Sequence, residues 1–189
     1  MSEDASHAAA LKPTHDDGNP RGDMPELEFL TQYTGESAEA LLKYEGRYRT
    51  DSLLLAFDEA LQAKQQRHEA LSSQEMTVLA VGALEREVNS GGYDQFFRHS
   101  SNECAPDIVE ALERIGCRTN AAIARRAIKA LGIQGALTPA ALEHVFQTDS
   151  DRRDAALSDC DDAHWATKED VPGSLFRFIK VNRERIRFG

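Results

Sequence analysis

The stretch SSQEMTVLAVGALEREVNSGGYDQFF, residues 72–97, decides the fold of this chain. Ser72 and Glu75 have the spacing of a capping box, in which each side chain hydrogen-bonds the backbone of the other residue, so a helix is predicted to begin here. Apolar side chains then occupy most of the helix circumference over residues 76–88. A helix that is apolar on most sides is typical of the middle of a helical bundle.

The second half of this stretch predicts a helix end that is followed at once by a short helix. Residues 89–92 are Asn-Ser-Gly-Gly, and glycine readily adopts the left-handed backbone that ends many helices. Residues 93–100 are then predicted to form a short helix that presents Phe96 and Phe97. The sequence therefore predicts a central helix, a glycine turn and an aromatic helix in succession.

Helical periodicity continues outward from this stretch in both directions. Leu54, Phe57 and Leu61 recur at i, i+3 and i+7 behind a predicted cap at Thr50 or Asp51. Other helix boundaries are predicted at Pro106, Gly116, Gly132 and Thr138-Pro139, with two last helices at about 150–166 and 172–187. No alternating β pattern of useful length is present. We predict an all-α fold, with one compact domain of about eight or nine helices at residues 34–189 and a flexible acidic tail at residues 1–33.

Composition indicates an acidic protein with reduced cysteine thiols, whose surface would attract basic partners. The formal net charge is −10, which disfavours direct binding to nucleic acid or to anionic membranes. No apolar run is long enough for a membrane span, and no secretory signal is recognisable. Cys104, Cys117 and Cys160 are far apart, so we expect reduced thiols rather than disulfides or a zinc site. The cytoplasm is the predicted location.

The acidic excess is concentrated in residues 1–30 and 149–170, whereas the last nineteen residues are basic. Residues 149–170 contain eight acidic and three basic side chains. If residues 150–165 form one helix, five aspartates fall within an arc of about 160° and span about 16 Å, close to the spacing of one charge per ~3.4 Å along a DNA strand. The predicted partner-binding residues are Asp149, Asp151, Asp154, Asp159, Asp161, Asp162, Glu169 and Asp170. The alternative interpretation is an ordinary solvated helix face.

The string LEREVNSGGYDQFF, residues 84–97, resembles the signature of a bacterial family of all-helical proteins whose best-understood member is a DNA mimic that binds a transcription factor. The matching residues are Glu85, Glu87, Asn89, Gly91, Gly92, Tyr93, Gln95 and Phe96. The likeness covers about residues 45–188. It implies an all-helical domain without known enzymatic chemistry that occupies the DNA-binding surface of a transcription factor or another DNA-binding protein.

The shared motif itself is interpreted as structural. Asn89, Gly91 and Gly92 are expected to make the turn, and Gln95 is expected to satisfy backbone groups. Tyr93, Phe96 and Phe97 of the motif are predicted to lie in the core. Glu85 is a further residue of the motif. The motif therefore supports the fold more directly than it supports the function.

Two other functions remain open from the sequence. An acidic surface would also suit an immunity protein that neutralises a toxin or a nuclease. An enzyme is a third possibility, since Asp94, His99, Cys104 and Asp107 are close in sequence, but their spacing matches no catalytic dyad or zinc pattern. We therefore predict no enzymatic activity, no cofactor and no metal. The basic residues of the last helix are expected to interact favourably with the helix dipole or to pair with nearby aspartates, rather than to bind nucleic acid.

Overall fold

The computed structural model describes residues 26–188, apart from the side chains at positions 100 and 101. Over this range the chain forms eight α-helices and no strand, with isolated bridges at Glu28–Tyr48 and Glu45–Tyr48. The helices are α1 (Ala38–Leu42), α2 (Thr50–Gln66), α3 (Ser73–Arg98), α4 (Ile108–Arg114), α5 (Arg118–Ala130), α6 (Pro139–Phe146), α7 (Asp151–Ala166) and α8 (Val171–Val181). Short 3₁₀ turns lie at Ser100–Cys104 and Arg183–Arg185. The predicted all-α fold is confirmed.

Helix α3 is the centre of the domain and contacts α2, α4, α7 and α8. Its predicted capping box is present, because the Ser72 hydroxyl accepts from the Glu75 amide at 3.2 Å and the Glu75 carboxylate accepts from the Ser72 amide at 2.7 Å. Val78, Val81 and Leu84 lie on different sides of the helix, and all three are buried. Burial on several sides explains why this segment is apolar around most of its circumference.

The glycine pair interrupts α3 without a loop. Gly91 has φ −168° and ψ 22°. Gly92 has φ 78° and ψ −172°, and this conformation of Gly92 is open essentially to glycine alone. The helix resumes at once, so that Tyr93, Phe96 and Phe97 point into the core. The predicted core role of these three aromatic residues is confirmed.

The C-terminal helix ends earlier than its sequence period suggests. It was predicted to reach residue 187 but ends at Val181. The chain then packs back on α2 and α3, because the Glu75 carboxylate accepts from the Arg187 amide at 2.8 Å and Lys64 Nζ donates to the Arg187 carbonyl at 2.9 Å. Glu75 and Lys64 also pair with each other at 2.9 Å, so this buried ion pair fixes the last residues.

Two boundaries near the N-terminus also differ from the prediction. The cap of α2 is Arg49, which makes no side-chain capping bond, rather than Thr50 or Asp51. Residues 26–33 were assigned to the tail, yet Glu28 exchanges backbone hydrogen bonds with Arg47 and Arg49, and the Leu30 amide donates to the Ser52 hydroxyl at 3.0 Å. The rest of the predicted tail, residues 1–25, lies outside the described residues. No described helix combines the length and apolar character that a membrane crossing requires.

Candidate protein-binding surface

Helix α7 carries most of the predicted partner-binding residues and is continuous from Asp151 to Ala166. The Ser150 hydroxyl caps it by accepting from the Arg153 amide at 3.3 Å. Asp151 and Asp154 lie in its first turn, where negative charge favours the helix dipole. These two aspartates therefore favour the start of the helix, whereas Asp159, Asp161 and Asp162 lie farther along it, where aspartate is a poor helix former.

One side of α7 is buried and holds the helix against α3 and α5. The buried side chains recur at helical spacing and are Arg153, Leu157, Cys160 and His164. Four aspartates lie on the opposite, exposed side, namely Asp151, Asp154, Asp159 and Asp162. We call these four residues the α7 acidic face. Asp149, just before the helix, is also exposed.

Asp161 does not belong to this exposed face, although the sequence grouped it there. Its carboxylate accepts from the Tyr93 amide at 2.7 Å and so joins α7 to the interruption of α3. Burial raises the pKa of this carboxyl, while the hydrogen bond from Tyr93 opposes the rise. A Cβ at Gly92 would collide with the Asp161 carboxylate. Gly92 is therefore required both for its positive φ and for the close approach of Asp161.

Glu169 and Asp170 are also engaged within the domain. The Glu169 carboxylate accepts from the Thr119 amide at 2.8 Å and from the Asn120 amide at 2.9 Å, at the start of α5. The Asp170 carboxylate accepts from the Gly173 amide at 2.9 Å and caps α8. Both carboxylates satisfy backbone N–H groups that would otherwise lack partners at helix starts.

Basic side chains neutralise only part of the α7 acidic face. Arg153 pairs with Asp154 at 2.9 Å while its Nη1 donates to the Val145 and Thr148 carbonyls. Within residues 26–188, the side chains of the other three members of the face, and that of Asp149, make no hydrogen bond or ion pair. The arginines after α8 pair with none of them. These carboxylates are available to an external partner.

One residue on the exposed side of α7 was not among the predicted partner-binding residues. The Trp165 side chain is 62% exposed, and it lies on α7 three residues after Asp162. Its ring packs edge-on against His164, with centroids 5.7 Å apart. A helical projection of residues 150–165 would have found it, because position 165 falls in the same arc as the aspartates.

The model of the DMP19-like protein family matches residues 69–182. The chain belongs to this family. The match runs from just before α3 to just after α8 and so includes the interrupted helix and the α7 acidic face. The comparisons with curated proteins and with solved structures each find no match.

Within this DMP19-like domain, the interruption of α3 gives Gln95 a different role from the predicted one. Its Nε2 donates to the Glu87 carboxylate at 2.9 Å, rather than to the backbone. A Cβ at Gly91 would collide with Gln95 Oε1. The two glycines thus make room for two different side chains, Gln95 and Asp161. Asn89 is exposed just before them.

Glu85 faces the inner side of α7 and is poorly solvated. Its Oε1 has no hydrogen-bond partner and lies 3.8 Å from His164 Nε2. Burial, assisted by the charge of Asp170, raises the pKa of Glu85 to about 7, and burial lowers the pKa of His164. The Tyr93 hydroxyl is buried in the same region, also without a hydrogen-bond partner. This cluster makes the packing of α7 on α3 sensitive to protonation.

The residues of the enzyme alternative do not form an activated site in this DMP19-like domain. Burial raises the pKa of Cys104 to about 11, so its thiol stays protonated at neutral pH. Asp94 pairs with Arg98 at 2.7 Å, and His99 lies 4.0 Å from Glu87. Within residues 26–188, no group of three or more histidine, cysteine or acidic side chains could hold a metal ion.

Proposed function

We propose that this protein is a non-enzymatic DNA mimic, whose α7 acidic face occupies the DNA-binding surface of a transcription factor or another DNA-binding protein. Membership of the DMP19-like family and the net charge of −10 support this function. The observation that carries it is the set of exposed aspartates on α7, most of which have no partner among the described residues.

The spacing of these aspartates suits a surface that binds phosphates. Asp151 and Asp162 are eleven residues apart, which corresponds to about 16 Å along an α-helix. Four carboxylates over this length have three intervals of ~5.5 Å on average, which is wider than the ~3.4 Å per charge along one DNA strand but of the same order. A positively charged groove that follows a DNA strand can therefore follow this helix face.

The acidic face must also be rigid, because binding free energy is lost when a partner has to order mobile charged side chains. Helix α7 is held along its length by Arg153 near its start, by its buried side chains, and by Asp161 near its end. The acidic face is thus organised before a partner arrives. Trp165 adds an exposed aromatic ring beside it, suited to packing against an arginine or lysine of the partner.

A capture experiment with charge-reversed variants tests this function. The tagged protein should retain a DNA-binding protein from a lysate of its own cells at low salt and lose it as salt rises, because exposed charges are screened within ~8–10 Å at ordinary ionic strength. The variant D151K/D159K/D162K should weaken this binding by on the order of 100-fold, since it replaces attraction by repulsion at three positions.

The matched control is E59K/E143K/E184K, which reverses three exposed glutamates on other parts of the domain. Each reversal adds two charges, so both variants change the net charge from −10 to −4. The control should bind nearly as well as the unchanged protein, and circular dichroism should find equal helicity in all three. Capture of a toxin that does not bind DNA, or equal loss of binding in both variants, would contradict the proposal.

A further inference from the structure

A groove of about 810 Å³ lies between the end of α5, helix α6 and the first turns of α7. The charged side chains in its lining are mostly basic, with Arg126, Lys129, Arg152 and Arg153 beside the carboxylate of Asp159, and His144 also lines it. This concentration of positive charge is unexpected in a chain with 32 acidic and 22 basic side chains. It borders the α7 acidic face through Arg152 and Asp159.

Three of these cations are free to bind a ligand. Arg126, Lys129 and Arg152 are exposed, and their side chains form no hydrogen bond or ion pair with any residue in the range 26–188. Most other arginines of the domain pair with a carboxylate, for example Arg47, Arg49, Arg67, Arg98, Arg114 and Arg125. With carboxylates in excess, the unpaired state of three neighbouring cations indicates a site for an external anion.

The start of α7 adds to the positive potential of this groove. Ser150 accepts from the amides of Arg153 and Asp154, and no described group accepts from the amides of Asp151 and Arg152. Free N–H groups at the start of a sixteen-residue helix favour an anion. Arg153 is held in place by the Val145 and Thr148 carbonyls, so its guanidinium is a fixed part of the lining.

We propose that this groove binds a phosphorylated small molecule through its phosphate groups. Three unpaired cations match a ligand with two or more negative charges, and the volume lies within the usual range of small-molecule sites. No phenylalanine, tyrosine or tryptophan side chain lines the groove, so we assign recognition of the ligand to the cations that bind its phosphates.

Occupation of the groove also bears on the proposed function. The ligand neutralises Arg126, Lys129 and Arg152, which otherwise weaken the negative potential beside the α7 acidic face. A loaded groove therefore strengthens binding to a basic partner. This consequence rests on the proposed DNA mimicry, whereas the ligand site itself does not, and the experiment below measures the ligand site alone.

Isothermal titration calorimetry tests the proposal. The full chain is titrated with inorganic pyrophosphate and with tripolyphosphate at fixed ionic strength. Both should bind saturably with one equivalent, and R126Q/K129Q/R152Q should weaken binding at least tenfold. The control R118Q/K168Q removes two exposed cations outside the groove and should stay within twofold of the unchanged protein.

Three results would overturn the site. They are no saturable binding of pyrophosphate, the same loss in the groove variant and the control, or equal binding of sulfate, which would indicate a site for any dianion rather than for phosphate groups. Because no partner protein is present, failure here leaves the proposed function standing. Success here does not establish that function.

Discussion

Phe96→Ala is expected to lower the free energy of unfolding by about 3–5 kcal/mol, the range for large aromatic truncations in a packed core. Phe96 is fully buried just after the interruption of α3, and its ring centroid lies 5.3 Å from that of Phe97. Helix α3 contacts α4 and the turn at Ser100–Cys104. Truncation leaves a cavity at this junction that the surrounding helices cannot easily close.

Denaturant unfolding followed by circular dichroism measures this loss. The matched control is Trp165→Ala, which removes a larger aromatic side chain that is 62% exposed on α7. That variant should change the stability by less than ~1 kcal/mol, as surface substitutions usually do. Similar losses for both variants would contradict the assignment of one aromatic residue to the core and the other to the exposed surface.

Glu85→Gln is expected to stabilise the domain at pH 8 by about 2–3 kcal/mol and to have little effect near pH 4.5. Burial raises the pKa of Glu85 from 4.5 in its usual environment to about 7 in the folded domain. The folded state therefore holds the proton more tightly than the unfolded state. The resulting stabilisation is complete below pH 4.5 and is lost as the pH rises through about 7.

Glutamine keeps the shape of protonated glutamate and cannot ionise, so the variant avoids this loss. His164 acts in the opposite direction, because its lowered pKa gives stability that is lost as the pH falls. Both proteins contain His164, so the difference between their unfolding free energies reports Glu85 together with its coupling to His164, whose Nε2 lies 3.8 Å from the Glu85 carboxylate. Unfolding measured from pH 4.5 to 8 should find a difference that grows with pH. A constant difference, or one as large for the exposed control Glu143→Gln, would contradict the account.

Local sequence signals predicted the helices well. The capping box at Ser72 and Glu75 is present, and the Thr138 hydroxyl accepts from the Ala141 amide at 3.2 Å, as the Thr138-Pro139 pair suggested. Such signals involve residues within one helical turn, so the sequence alone contains them. The glycine pair was correctly expected to interrupt the central helix.

Contacts between distant residues could not be predicted in this way. Nothing in the local sequence distinguishes Asp161 and Glu169 from the exposed aspartates. Asp161 accepts a hydrogen bond from Tyr93, 68 residues away, and Glu169 accepts one from Asn120, 49 residues away. The early end of α8 likewise depends on Glu75, which is 112 residues from Arg187. The basic groove escaped notice because its cations come from two helices that are adjacent only in the folded chain.

The most direct measurement is a competition between this protein and DNA for the partner obtained by capture. The partner is bound to its labelled DNA site, and the protein is added while fluorescence anisotropy and gel mobility follow the DNA. We expect the unchanged protein and E59K/E143K/E184K to release the DNA, and D151K/D159K/D162K to leave it bound. A ternary complex of protein, partner and DNA, or equal release by the α7 variant, would contradict the account.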